Sequence, residues 1–162
     1  MLQYSNWFMG CILLAFSTCQ TNTIYRYSHQ LADCRWHRNA PLQFNFDIQD
    51  TTQAYDIYLL INSAPNYPYQ NFYLTYYLID HTSALVSTEL KNYLLFEPKT
   101  GRPLGKGWSK NTSHEVIMIK NHYFNHPGTY QLEVAQFMRI ESLPGMCRIG
   151  IKICKANQMV SK

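Results

Sequence analysis

Six histidines, five cysteines and ten carboxylates are the groups of this 162-residue chain that could bind a metal, attack a carbonyl or move a proton. His122 and His126 stand four apart, a spacing that on a helix could bring both imidazoles to one zinc ion. Pro127 and Gly128 follow at once and strand-forming residues precede, so the segment reads as a turn and neither a metal nor another cofactor is expected. His29, His37, His81 and His114 are dispersed. Ser109 and Ser113 lie near Gly107 in a polar loop, without the tight glycine-framed elbow of a nucleophilic serine. The acidic residues fall mostly on outward strand positions, which leaves little for a catalytic carboxylate pair. No catalytic residue is expected, and the chain reads as a protein that is not an enzyme.

The cysteines divide by position. Trp7 to Phe16 is an uncharged apolar run of ten residues. It is too short to cross about 30 Å of hydrocarbon and the right length for the apolar region of a signal peptide. Phe16-Ser17-Thr18-Cys19 follows, then the polar Gln20-Thr21-Asn22-Thr23. This junction resembles a bacterial lipobox, in which the cysteine is acylated and becomes the new N-terminus. Residues 1–18 are then the lipoprotein signal peptide, 19–30 the anchor and N-terminal segment, and 31–162 a folded domain held to the lipid bilayer through acylated Cys19. Thr18 stands where Gly, Ala or Ser is usual, and Met1–Asn6 has no basic residue. Cleavage at the rival Cys11 would leave Ile12–Phe16 exposed. Cys34, Cys147 and Cys154 remain, an odd number for an oxidising compartment. Cys147 is in phase with a run of isoleucines, as a small buried hydrophobe would be. A Cys34–Cys154 disulfide is one pairing left open.

The elements that position these groups are strands. Leu42, Phe44, Phe46 and Ile48 alternate with Gln43, Asn45 and Asp47, the period of two that puts one face in a core. Tyr55–Asn62, Tyr130–Ala135 and Cys147–Cys154 alternate likewise, with Ile149, Ile151 and Ile153 on one side of the last. Less regular strands are expected over Ile24–Ser28, Phe72–Ile79, part of Leu85–Phe96, and Glu115–Lys120. Turn-formers separate them, among them Asp50-Thr51-Thr52 and Pro144-Gly145. The fold class is all-β, an antiparallel β-sandwich or jelly roll of about eight strands. The net charge of +4 is spread with no run of three basic residues, which argues against nucleic acid.

Between the strands lie blocks that resemble the gliding-motility lipoprotein H (GldH) family of Bacteroidota. Asn66-Tyr67-Pro68-Tyr69-Gln70-Asn71-Phe72 is similar to its YPYSN-type hallmark. Trp36 followed by Pro41-Leu42-Gln43-Phe44 resembles its Trp and Pro-entered strand, and Gly101-Arg102-Pro103-Leu104-Gly105-Lys106-Gly107 its glycine loop. Pro127-Gly128-Thr129-Tyr130, Gln136-Phe137-Met138-Arg139, Leu143-Pro144-Gly145-Met146 and Ile149–Ile153 follow in the family's order. Departures are Pro103 for Trp, Phe137 for a small residue and Gln70 for Ser. The resemblance implies an outer-membrane lipoprotein that serves gliding beside other envelope and gliding proteins and the type IX secretion apparatus. The aromatic turn Tyr67-Pro68-Tyr69 is the candidate partner-binding surface, since tyrosine offers contact area with few rotors to freeze. The other reading of the same residues is that Pro68 makes a rigid turn and the tyrosines pack the sandwich edge. The alternative function is that of a membrane-anchored glycan-binding sandwich. Gln20–Thr23 lacks the acidic residues that accompany surface export in this phylum, so the expected orientation faces the periplasm.

Overall fold

A computed structural model of the chain describes residues 22–107 and 111–156, and Cys19 with the rest of residues 1–21 lies outside them. Eight strands stand where the sequence places four alternating and four less regular ones: β1 (Thr23–Gln30), β3 (Leu42–Ile48), β4 (Tyr55–Ser63), β5 (Asn71–Ile79), β6 (Leu85–Leu94), β7 (Thr112–His122), β8 (Gly128–Gln136) and β10 (Met146–Lys155). Two three-residue strands join them, β2 (Arg35–His37) and β9 (Ser142–Pro144). All pairings are antiparallel. One four-stranded sheet runs β1-β10-β4-β7 and the other β3-β8-β5-β6, with β2 and β9 as a separate pair. The molecule is a β-sandwich.

The inward residues of both sheets make one core. Phe44, Phe46, Ile57, Leu59, Leu74, Leu132, Ile149 and Ile151 are each at most 3% exposed. Inward alternation in β4 extends from Tyr55 to Ser63 without a break. Trp36 of β2 seals the core beside Phe72, its ring 5.8 Å away, and its indole N–H donates to the Ala40 carbonyl at 2.9 Å. A buried indole needs such a partner, because an unmet N–H in the core costs about 1–3 kcal/mol.

Register places the loops at two ends. Thr23, Tyr55, His122 and Lys155 mark one end, with the turns 49–54, 80–84 and 123–127. Asp50 and Asp80 shape two of these turns by accepting the backbone N–H and the hydroxyl of Thr52 and Thr82. The same hydroxyl bonds, ahead of any other cause, hold both carboxyls below their ordinary pKa. Gln30, Ser63, Asn71 and Leu94 mark the opposite end. A nine-residue strand such as β4 separates the two ends by roughly 30 Å.

The disulfide differs from the pairing considered above. Cys34 bonds Cys147, and Cys154 is the free thiol of the described residues. β10 changes register between Met146 and Arg148. This irregularity leaves Cys147 beside the short 3-10 turn Ala32–Cys34, and the Cys147 carbonyl accepts from Leu31 N–H at 2.9 Å. Cys154 sits at the other end of the sandwich, where its thiol meets the Thr23 hydroxyl at 3.4 Å.

Candidate binding site

The Tyr67-Pro68-Tyr69 turn lies at the end opposite Thr23, and its three residues have different surroundings. Tyr67 belongs to the core. It is 6% exposed, stacks on Phe96 with centroids 6.1 Å apart, and donates its hydroxyl to the Asn71 carbonyl at 2.9 Å. Burial raises the pKa of its phenol. Gly145, at φ +78°, lets the β9–β10 turn close over it, for a Cβ there would lie 2.8 Å from the Tyr67 Cα. Tyr67 therefore cannot present its ring to a partner, a correction to the expected three-residue surface. Pro68 is exposed and Tyr69 half-buried, edge-on to Tyr67 at 5.7 Å.

From this turn runs a larger uncharged surface. Phe72, Leu74, Tyr76 and Leu78 of β5 point inward, so Asn71, Tyr73, Thr75, Tyr77 and Ile79 face out. Their register partners on β6 are Leu94, Asn92, Leu90, Thr88 and Leu85. No residue of this double row is charged. Leu85, Leu90 and Leu94 are 57%, 50% and 45% exposed, and Phe137, whose N–H bonds the Tyr73 carbonyl, is 61% exposed. The two charges of β6, Glu89 and Lys91, lie on its other side and pair with each other at 2.6 Å. Charge on the inward side of an edge strand discourages non-specific edge pairing while leaving the outer face uncharged. The sequence reading missed this surface, because β6 (LVSTELKNYL) shows no clean alternation.

The histidine pair does not come together as ligands. His122 is half-buried with its ring 4.6 Å from Phe124, while His126 is exposed and its carbonyl takes the Tyr130 hydroxyl at 2.8 Å. Among the described residues no three His, Cys, Asp or Glu side chains gather into a metal-binding group. Ser113 is exposed on β7, and Ser109 lies outside the described residues.

Residues 23–153, nearly all of the sandwich, match the GldH lipoprotein family. The chain belongs to that family. It is 25% identical over 152 residues to a gliding motility lipoprotein GldH homolog of Christiangramia forsetii, covering 90% of this chain and 91% of the relative. It is 23% identical to gliding motility lipoprotein GldH of Flavobacterium johnsoniae, covering 89% and 94%. Among solved structures, a chain of infectious bursal disease virus Gx strain aligns at 14% identity and TM-score 0.40, over 84% of this chain and 31% of that one. A likeness so slight bears on neither fold nor function. GldH membership makes this chain a gliding-motility lipoprotein, a membrane-anchored class. The GldH-like glycine loop also acquires a physical role. Lys106 and Ser113 exchange two backbone hydrogen bonds of 2.8 Å, and at Gly105 a Cβ would lie 2.4 Å from the Ser113 carbonyl. Only glycine lets the loop pack this closely on β7.

Proposed function

We propose that this lipoprotein is anchored in the outer membrane through acylated Cys19, faces the periplasm, and acts by binding other envelope proteins of the gliding machinery rather than by catalysis. Its contact surface is the outer face of β5 and β6, ending at Pro68 and Tyr69. The observation that carries this reading is the uncharged double row with Leu85, Leu90 and Leu94 exposed. Large apolar side chains exposed together on an uncharged face mark protein interaction sites. The anchor suits that surface. Three residues lie between Cys19 and Thr23, and the four steps reach at most roughly 14 Å, so the Thr23 end stays near the bilayer and the Pro68–Tyr69 turn points away from it.

The test is a Tyr77→Asp, Leu90→Asp variant expressed in a gliding host that lacks its own copy. It should remain folded and membrane-bound, yet fail to co-purify gliding proteins after cross-linking and fail to restore spreading. Full restoration would overturn the reading. A Cys19→Ser variant tests the anchor separately: loss of palmitate labelling and release to the soluble fraction are expected, and undiminished labelling would move the anchor to Cys11.

A further inference from the structure

The outer face of the β1-β10-β4-β7 sheet is built differently. Its register forms rows across the strands: Gln30, Arg148, Asn62 and Ser113 in one, Ser28, Gly150, Leu60 and Glu115 in the next, Arg26, Lys152, Tyr58 and Ile117 in the third. Gly150 stands at the middle with no side chain, and a Cβ there would lie 2.0 Å from the Ser28 hydroxyl. The centre of the sheet is therefore low while long side chains stand around it. The Leu104–Lys106 strip, bonded to Ser113, raises a wall on the β7 side. The result is an open hollow of about 610 Å³, inside the roughly 300–1,000 Å³ of ligand sites.

Its charge is unbalanced. Arg26, Lys106 and Arg148 line the hollow, and none is ion-paired to a carboxylate of the described residues. Glu115, the acidic residue of the lining, is held by Lys152, whose ammonium also lies 4.6 Å over the Tyr58 ring. Arg148 is oriented without being neutralised, since its Nε and Nη2 both donate to Gln30 Oε1 at 3.1 Å. Asn62, which accepts from the Asn111 amide and donates to the Ser113 hydroxyl, lines the hollow together with Ser113, and Leu60 supplies apolar lining. Guanidinium groups recognise phosphate and carboxylate through paired N–H donors, and amides with hydroxyls meet ligand hydroxyls.

We propose that this hollow binds an anionic saccharide, a sugar unit bearing a phosphate or a carboxylate. Arg26, Arg148 and Lys106 hold the acidic group, Ser28, Asn62 and Ser113 meet the hydroxyls, and Leu60 lies under the ring. The site is built on the sheet opposite the protein-binding face proposed above, meets that face only at Leu94, which also lines the hollow, and draws none of its charged or hydroxyl groups from it. The test titrates the full lipidated protein in detergent micelles with glucuronate, glucose 6-phosphate, glucose and inorganic phosphate, followed by calorimetry. At least one of the two acidic sugars should bind more tightly than both glucose and inorganic phosphate, and its affinity should fall with added salt. Arg26→Gln with Arg148→Gln should weaken it by about 10- to 100-fold. Lys106→Gln, outside the named strands, should also weaken it, while Lys155→Gln should not. Equal binding of glucose overturns the anionic assignment, and equal binding of inorganic phosphate overturns the saccharide. Silence with both acidic sugars at millimolar concentration, or indifference to all three substitutions, overturns the site.

Discussion

The two outer faces of this sandwich rest on one core and share almost nothing else. On β5 and β6 the outward residues are aromatic, aliphatic or neutral polar. On β1, β10, β4 and β7 they include Arg26, Arg148, Lys152, Asp56 and Glu115, ranged about a glycine. The inward faces cannot differ so freely, because both fill the same close-packed volume, where a change of one methylene is felt. Specialisation therefore went outward. An uncharged face suits a protein surface that excludes water, and a cationic hollow suits a ligand that brings its own charge. Under the two proposals above, a lipid-anchored domain with two such faces holds a protein on one and an acidic sugar on the other.

The comparison fails first where both faces lose their common support. The Cys34–Cys147 disulfide spans 113 residues and ties β10 to the segment leading from β1 into β2 and β3. In the chain-entropy picture, closing a loop of about a hundred residues stabilises by about 4–5 kcal/mol. Reduction, or Cys34→Ala with Cys147→Ala, should lower the urea midpoint accordingly. An unchanged midpoint would mean that core packing alone seats β2. Next comes the core. Ile151→Ala should cost about 2–5 kcal/mol, whereas its neighbour Lys152→Ala, on the cationic face, should cost about 1 kcal/mol or less. Equal losses in urea melts would contradict the division into inner core and outer faces.

How much of this was legible depends on how local each feature is. Alternation within one strand is local, and it located β3, β4, β8 and β10 with their inward sides, while composition and turn-formers located β1, β5, β6 and β7 without them. Arg35-Trp36-His37 and Ser142-Leu143-Pro144 are too short to show a period, so β2 and β9 emerged only from their mutual pairing. Cys147 was in phase with Ile149 by extrapolation across what proved to be a register shift. Tyr67 looked like a turn residue because nothing near it in sequence reveals Gly145 closing over it. The cationic hollow was the least visible feature. Arg26, Lys106 and Arg148 are scattered along the chain, and only the order β1-β10-β4-β7 with the folded-back glycine loop gathers them.

Acid should separate the faces. His114 and His122 both lie on β7, and burial lowers the pKa of each. A histidine whose folded pKa lies below its unfolded value binds more protons when unfolded. Stability is then intact above the unfolded pKa of about 6.5 and declines as pH falls below it. Hydrogen exchange at pH 5 against pH 7, corrected for intrinsic rates, should show β7 losing protection while β5 and β6 keep theirs. His114→Gln with His122→Gln should flatten the difference. Equal loosening of both sheets would place the acid response elsewhere.

The smallest expected change in stability is also the sharpest discriminator. Tyr77→Ser with Leu90→Ser and Arg26→Gln with Arg148→Gln each alter outward side chains, so each should shift the unfolding free energy by only about 0.5 kcal/mol per site. Their consequences for binding should be opposite. The first pair removes apolar area from the uncharged face, which should abolish recovery of gliding proteins and leave saccharide titrations unchanged. The second removes charge from the hollow, which should weaken acidic sugars and leave protein recovery intact. Combining all four substitutions should give the sum of both losses with no extra destabilisation, because the sites lie on opposite sheets and share no partner. If either pair moves both readouts, the faces are coupled through the core and one ligand reports on the other. If neither pair moves either readout, the recognition surface is at the Pro68–Tyr69 end, and Tyr69→Ser is the variant that would expose it.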